Sequence, residues 1–205
     1  DYTHKGDFFD HYNLTLLNPD SYFADGQIKG EVYVYGSFLQ SKMFKEGVEC
    51  TDCHDPHTLE LKASIEDNSL CMNCHAPRYN TNEHHFHKEN TEASRCVNCH
   101  MAGRYYMEVD FRRDHSFRVP RPDQSAEFGT PNACNNCHDQ QTAEWAADAV
   151  ERWYGSNRES HFSDVLLKAN AKGPAAQDEL EKMIADTTHP DIARATGIWY
   201  LGQFA

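Results

Sequence analysis

No stretch of the 205 residues is long and apolar enough to span a bilayer; the most apolar, 197–205, is short and interrupted. Basic residues are in deficit, 19 Lys and Arg against 32 Asp and Glu, which leaves a formal charge of -13. A surface of that sign repels nucleic acid and anionic lipid and favours basic partners or cations. Apolar residues make up 39% of the chain, thin for a self-sufficient core. The chain opens at Asp1 on a polar, aromatic segment with no leader-like apolar run. Spare cysteine is absent too.

All eight cysteines fall into four copies of one pattern, Cys50-x-x-Cys53-His54, Cys71-x-x-Cys74-His75, Cys96-x-x-Cys99-His100 and Cys134-x-x-Cys137-His138. Cys-x-x-Cys-His is the attachment pattern of c-type haem: two thiols form thioethers to the haem vinyl groups and the adjacent His reaches the iron from one face. The sequence therefore predicts four covalently bound haem c groups. The first two pairs alone also fit a zinc ribbon, in which four thiolates hold a tetrahedral metal. A zinc ribbon, a disulfide brace or a thioredoxin-like redox pair has no use for a His after each second Cys, and here it follows four times out of four. Four apolar macrocycles would also supply the burial that the side chains lack, so the apo-chain is expected to be largely unfolded. Their propionates would add further negative charge. Covalent haem attachment takes place outside the cytoplasm in bacteria and archaea, so the expected location is extracytoplasmic, periplasm or cell exterior, with the signal peptide already removed.

The expected fold class is mainly α with much irregular loop, a multihaem cytochrome c fold organised around four haems, plus a C-terminal α-helical segment. Residues 1–140 read as a tetrahaem domain with an aromatic N-terminal segment, and 141–205 as a helical segment. Motif starts are spaced too irregularly for a solenoid, and Gly, Pro, Asn and Asp separate short helical turns that carry the motifs. The stretch 31–39 has strand-like residues but equally suits a helix of poor propensity. Beyond Gln141 a helix is expected over 142–154, with Thr142 as N-cap and Gly155 as its stop. More helices follow at about 163–171, 175–186 and 190–204, the last with Pro190 in its first turn. Such paired helices resemble the start of a HEAT- or TPR-type repeat, either a helical cap or part of a longer chain.

Thirteen His less the four in motifs leaves nine, more than four irons need. This surplus favours bis-histidine ligation over Met: Met43, Met107 and Met183 are isolated, Met72 lies inside a motif and Met101 directly follows His100. The candidate distal ligands are His57, set off by Pro56 towards a neighbouring haem; His115, far from any motif; the cluster His84, His85 and His87, with His85 preferred; and His11 and His4 near the N-terminus. His161 and His189, in the helical tail, read as surface residues. Arg104, Arg112, Arg113, Arg118 and Arg121, concentrated in an acidic chain, suit propionate pairing or a solvated charged turn.

Several stretches together carry a resemblance: Cys53-His54-Asp55-Pro56-His57, His100-Met101-Ala102, 112–122, 129–138 and Trp145-Ala146-Ala147. Over roughly residues 8–155 the chain resembles a family of extracytoplasmic multihaem cytochromes related to the tetrahaem cytochrome c-554 group, in which HEAT or TPR helices often follow the haem domain. Ala102 departs from the Pro expected after His-Met and puts a local turn in doubt. The layout is also similar to subunits of the cytochrome filaments that metal-respiring bacteria and archaea extend from the cell. That resemblance implies stacked haems and a homopolymer with inter-subunit His ligation, a role that His4 and His11 match by position.

The function expected is electron transfer through closely packed, bis-His haems, to redox partner proteins, by an electron-transfer protein and not an enzyme. A filament subunit and a soluble periplasmic shuttle are its two settings. The alternative from another class is a small reductase of nitrite, hydroxylamine or a sulfur oxyanion, which needs one open haem.

Overall fold

A computed structural model describes residues 5–173 and 175–204. Helix accounts for 43% of the chain and strand for 6%, with much loop, the mainly α class expected. The chain divides into two compact units, residues 41–159 and residues 1–40 together with 160–205. These are not the divisions at 140 read from the sequence. All four Cys-x-x-Cys-His motifs lie in the first unit, and the N-terminal segment belongs with the C-terminal helices.

In the unit 41–159 the motifs ride on short turns, Cys50–Cys53, Ser69–Met72, Cys96–His100 and the 3-10 turn Cys134–Asn136. Between the third and fourth, β1 (Gly103–Tyr106) pairs antiparallel with β2 (Asp110–Arg113), Tyr105 opposite Phe111. This hairpin had no counterpart in the sequence reading. Its turn takes two non-glycine residues, Met107 and Glu108, through positive φ, where a hairpin more often carries Asn or Gly. The helix α1 (Pro122–Phe128) starts on a proline and stops at Gly129, φ 72. It packs on α2 (Ala143–Tyr154). The Thr142 side chain accepts the Trp145 N–H at the start of α2, and Gly155 at φ 81 ends it, as its sequence signals predict.

Among the described residues, the buried hydrophobics of this unit are Val97, Tyr106, Ala146, Ala149 and Val150; the others all belong to the second unit. Few, and small apart from Tyr106, they leave the motif-bearing unit without a conventional side-chain core.

The second unit has one. Its helices α3 (Phe162–Asn170), α4 (Ala176–Ala185) and α5 (Asp191–Leu201) bury Phe162, Leu166, Leu167, Leu180, Met183, Ile192 and Tyr200. Pro190 proves to be the residue flanking α5, not one in its first turn. α4 and α5 approach closely at Gly197, where a Cβ would sit 2.6 Å from the Met183 Cε. The N-terminal segment joins the helices through buried Leu17, whose N–H donates to the Thr196 Oγ1 at 3.0 Å. Of the N-terminal aromatics, Tyr22 and Phe38 are buried here, while Phe9, Tyr12, Tyr33 and Tyr35 are exposed. The stretch 31–39 resolves as a single helical turn, Tyr35–Phe38.

Candidate haem sites

Each motif is wound so that the His lies one helical turn beyond the first Cys. The N–H of His54 donates to the Cys50 carbonyl at 2.9 Å, that of His75 to Cys71 at 3.0 Å and that of His138 to Cys134 at 2.9 Å, while Cys96–His100 is a short helix. This brings two thiols and an imidazole close together, as three-point attachment to one macrocycle requires. All eight cysteines are free thiols. Among the described residues no group of three or more His, Cys, Asp or Glu is placed to hold a metal ion.

Successive motifs are neighbours in space. The Cys53 thiol is pushed up by burial and by the nearby thiols of Cys71 and Cys74. Cys71 and Cys96 share a hydrogen bond that raises the first and lowers the second. Cys99 is pushed up to about 11, by burial and then by Cys134 and Cys137. Motif one thus neighbours two, two neighbours three, and three neighbours four, an order in which bound redox groups would form a chain.

Three of the four motif His face a second imidazole. The ring centroids of His54 and His115 lie 6.5 Å apart with 29° between planes, those of His84 and His100 6.1 Å apart with 9°, and those of His87 and His138 6.2 Å apart with 34°. With two metal–nitrogen bonds of about 2 Å each, and a centroid about 1 Å behind each nitrogen, coaxial ligands of one metal have centroids about 6 Å apart. Stacked rings in van der Waals contact would be much closer.

The unused ring nitrogens support the same reading. Nδ1 lies 2.9 Å from the Leu59 carbonyl in His54, 2.7 Å from that of Arg118 in His100, 3.0 Å from that of Arg113 in His115, and 2.5 Å from that of His85 in His87. A carbonyl only accepts, so Nδ1 carries the proton and Nε2 keeps the lone pair a metal needs. Burial pushes His84, His100 and His115 below the ordinary imidazole range, which keeps them neutral and ligand-competent. The shortage of buried side chains in 41–159 and the paired imidazoles together fit haem c.

The remaining candidates are placed differently. Exposed His75 has the Tyr79 ring edge-on at 6.2 Å, and among the described residues no imidazole faces it. His57 is exposed and its N–H donates to the Asp55 Oδ1. His85, preferred from the sequence, is in no facing pair: its Nδ1 accepts the His87 N–H at 3.2 Å and its Nε2 is buried without a partner. His11 is exposed, and His4 lies outside the described residues. His161 caps α3, its Nδ1 2.7 Å from the Ser163 Oγ. Arg112 and Arg121 pair with Asp110 and Asp123, and Arg113 holds the carbonyls of Val97 and Met101 and the Asn98 side chain. Sequence reasoning missed the rings that border these imidazoles, Tyr79, Trp145, Trp153 and Tyr154; aromatic content in α2 was the signal for the last three.

Paired attachment motifs in a mainly helical chain indicate a haem-binding multihaem c-type cytochrome, consistent with electron transfer. Residues 42–78, which hold the first two motifs, match the family described as doubled CXXCH motif, and such motifs bind haem c covalently. Cytochromes of this class are extracytoplasmic. No curated protein and no solved structure matches the chain. Among the described residues no helix is long and apolar enough to cross a membrane.

Proposed function

We propose that the chain conducts electrons through four haem c groups, one at each motif, with His115, His84 and His87 as the distal ligands opposite His54, His100 and His138. The observation that carries this reading is the set of three facing imidazole pairs at metal-sharing separation. When bound, each haem supplies a one-electron redox centre. The chain's own part is to place the thiols and to keep Nε2 unprotonated by engaging Nδ1. It also withholds the proton by burial and orders the motifs from one to four. Irons closed by two imidazoles bind no substrate, which makes the protein a conductor and not a catalyst, and its partners are redox proteins.

The fourth centre, at His75, bears on the setting. Its exposure, with the exposed Phe9, Tyr12 and Tyr33 of the N-terminal segment, favours a polymer in which an N-terminal His, His4 or His11, ligates an iron of the next copy. The competing settings are a soluble shuttle and a small reductase with an open iron at His75. Three measurements on purified material separate them: intact mass for the haem count, electron microscopy for filaments, and electron paramagnetic resonance for high-spin iron. Four haems, filaments and no high-spin signal are expected. Monodisperse particles would leave the shuttle, and a high-spin iron that binds cyanide in the assembled protein would refute the conductor reading.

A further inference from the structure

His84 and His87 are three residues apart yet face different motif ligands, His100 and His138. Phe86 sends them apart, because it holds the left-handed conformation, φ 56, at the end of the turn Asn82–His85. A non-glycine residue persists there only when its surroundings over-determine it. Those surroundings are the last turn of α2. The Phe86 ring lies flat on Trp153 at 4.6 Å and 3°, and edge-on to Tyr154 at 5.7 Å. Trp153 also meets the His87 ring at 6.3 Å, Tyr154 meets the His84 ring at 6.3 Å, and the Tyr154 hydroxyl donates to the His84 carbonyl. At its other end α2 places Trp145 4.9 Å from the His138 ring. One helix, fixed by its buried Ala146, Ala149 and Val150, therefore touches both members of one pair and the distal member of another.

We propose that Trp153 and Tyr154, acting through Phe86, are positioning residues that hold His84 and His87 against the irons at His100 and His138, so that two haems share one mechanical support. This assignment rests on the facing imidazoles being axial pairs. Its consequence is that loss of this support costs both irons their distal ligands together. The third pair has supports of its own, the Leu59 carbonyl for His54 and the Arg113 carbonyl for His115. It is therefore an internal control.

The test uses the holoprotein with Trp153→Ala, Trp153→Phe and Tyr154→Phe, followed by electron paramagnetic resonance, cyanide titration and redox titration. Trp153→Ala is expected to take up two more equivalents of cyanide per chain than the unsubstituted protein, to lose two low-spin signals and to move two midpoint potentials. The signal of the His54–His115 pair, identified by its loss in His115→Ala, should stay. Trp153→Phe keeps a flat ring and should restore both ligands; Tyr154→Phe should act in the same direction as Trp153→Ala but less. The proposal is overturned if Trp153→Ala keeps every low-spin signal at unchanged potential, loses only one, or loses the control signal with the rest. His84→Ala and His87→Ala separate the two levels of inference. If neither costs a low-spin signal, the axial pairs themselves are wrong; if each costs one while Trp153→Ala is silent, only the positioning role fails.

Discussion

Replacing His84 by Ala removes the imidazole that lies 6.1 Å from His100 and within 9° of parallel to it. Since His84 faces no other motif His, the loss is expected to convert one iron of four, a quarter of the low-spin signal. His84 also contacts Tyr79 at 5.2 Å and Tyr154 at 6.3 Å. Ring pairs are worth about 0.5–1.5 kcal/mol each, so the lost packing costs about 1–3 kcal/mol. That falls short of the roughly 5–15 kcal/mol that holds a typical domain together, so the spectral change reports ligation and not collapse. Added imidazole should restore the signal. The decisive comparison is His85→Ala. It forfeits one hydrogen bond of about 0.5–1.5 kcal/mol. Stability should fall by no more than that, with every low-spin signal kept. Low-temperature electron paramagnetic resonance on matched holoproteins reads both variants. If His85→Ala takes the quarter and His84→Ala leaves it, reading axial ligands from facing rings fails.

Acid should loosen the unit 41–159. Burial favours the neutral form of His84, His100 and His115, and holding an iron would exclude the same proton, so the unfolded chain takes up protons that the folded one excludes. Their contribution is complete above about pH 6.5 and is lost as pH falls below it. Urea midpoints measured from pH 8 to pH 5 should decline over the lower half, and a flat profile would contradict the direction. Arg113→Ala removes the charged donor that holds the carbonyls of Val97 and Met101 and the Asn98 side chain around the third motif. Hydrogen bonds to a charged group contribute about 1.5–3 kcal/mol, and a loss of that order is expected in denaturant titration. Leu180→Ala opens a fully buried site between the helices of the second unit and should cost about 2–5 kcal/mol, read as a lower unfolding midpoint.

The attachment sites were legible because they are local: two thiols and an imidazole within five residues need only one turn of backbone to converge. Helix α2 was legible for the same reason, with Thr142 and Gly155 marking its ends. The facing imidazole pairs were not, since a surplus of His says only that imidazoles are plentiful. His115 was among the candidates, but the choice within residues 84–87 depended on the positive φ of Phe86, which nothing in an aromatic side chain announces. The hairpin 103–113 went unread because its turn carries Met107 and Glu108 in place of the usual Asn or Gly.

By itself the sequence determined the attachment chemistry and the class of cofactor, because covalent motifs carry their meaning in spacing alone. It also set the acidic surface and the helical tail, which follow from composition and periodicity. Only the tertiary structure decided which imidazole faces which, and that α2 underlies two of the pairs. It alone joined the N-terminal segment to the C-terminal helices through Leu17 and Thr196. The physical reason is common to all three: an imidazole pair, a ring stack and a long-range hydrogen bond join residues far apart in the chain, and their partners are chosen by packing, which no local pattern encodes.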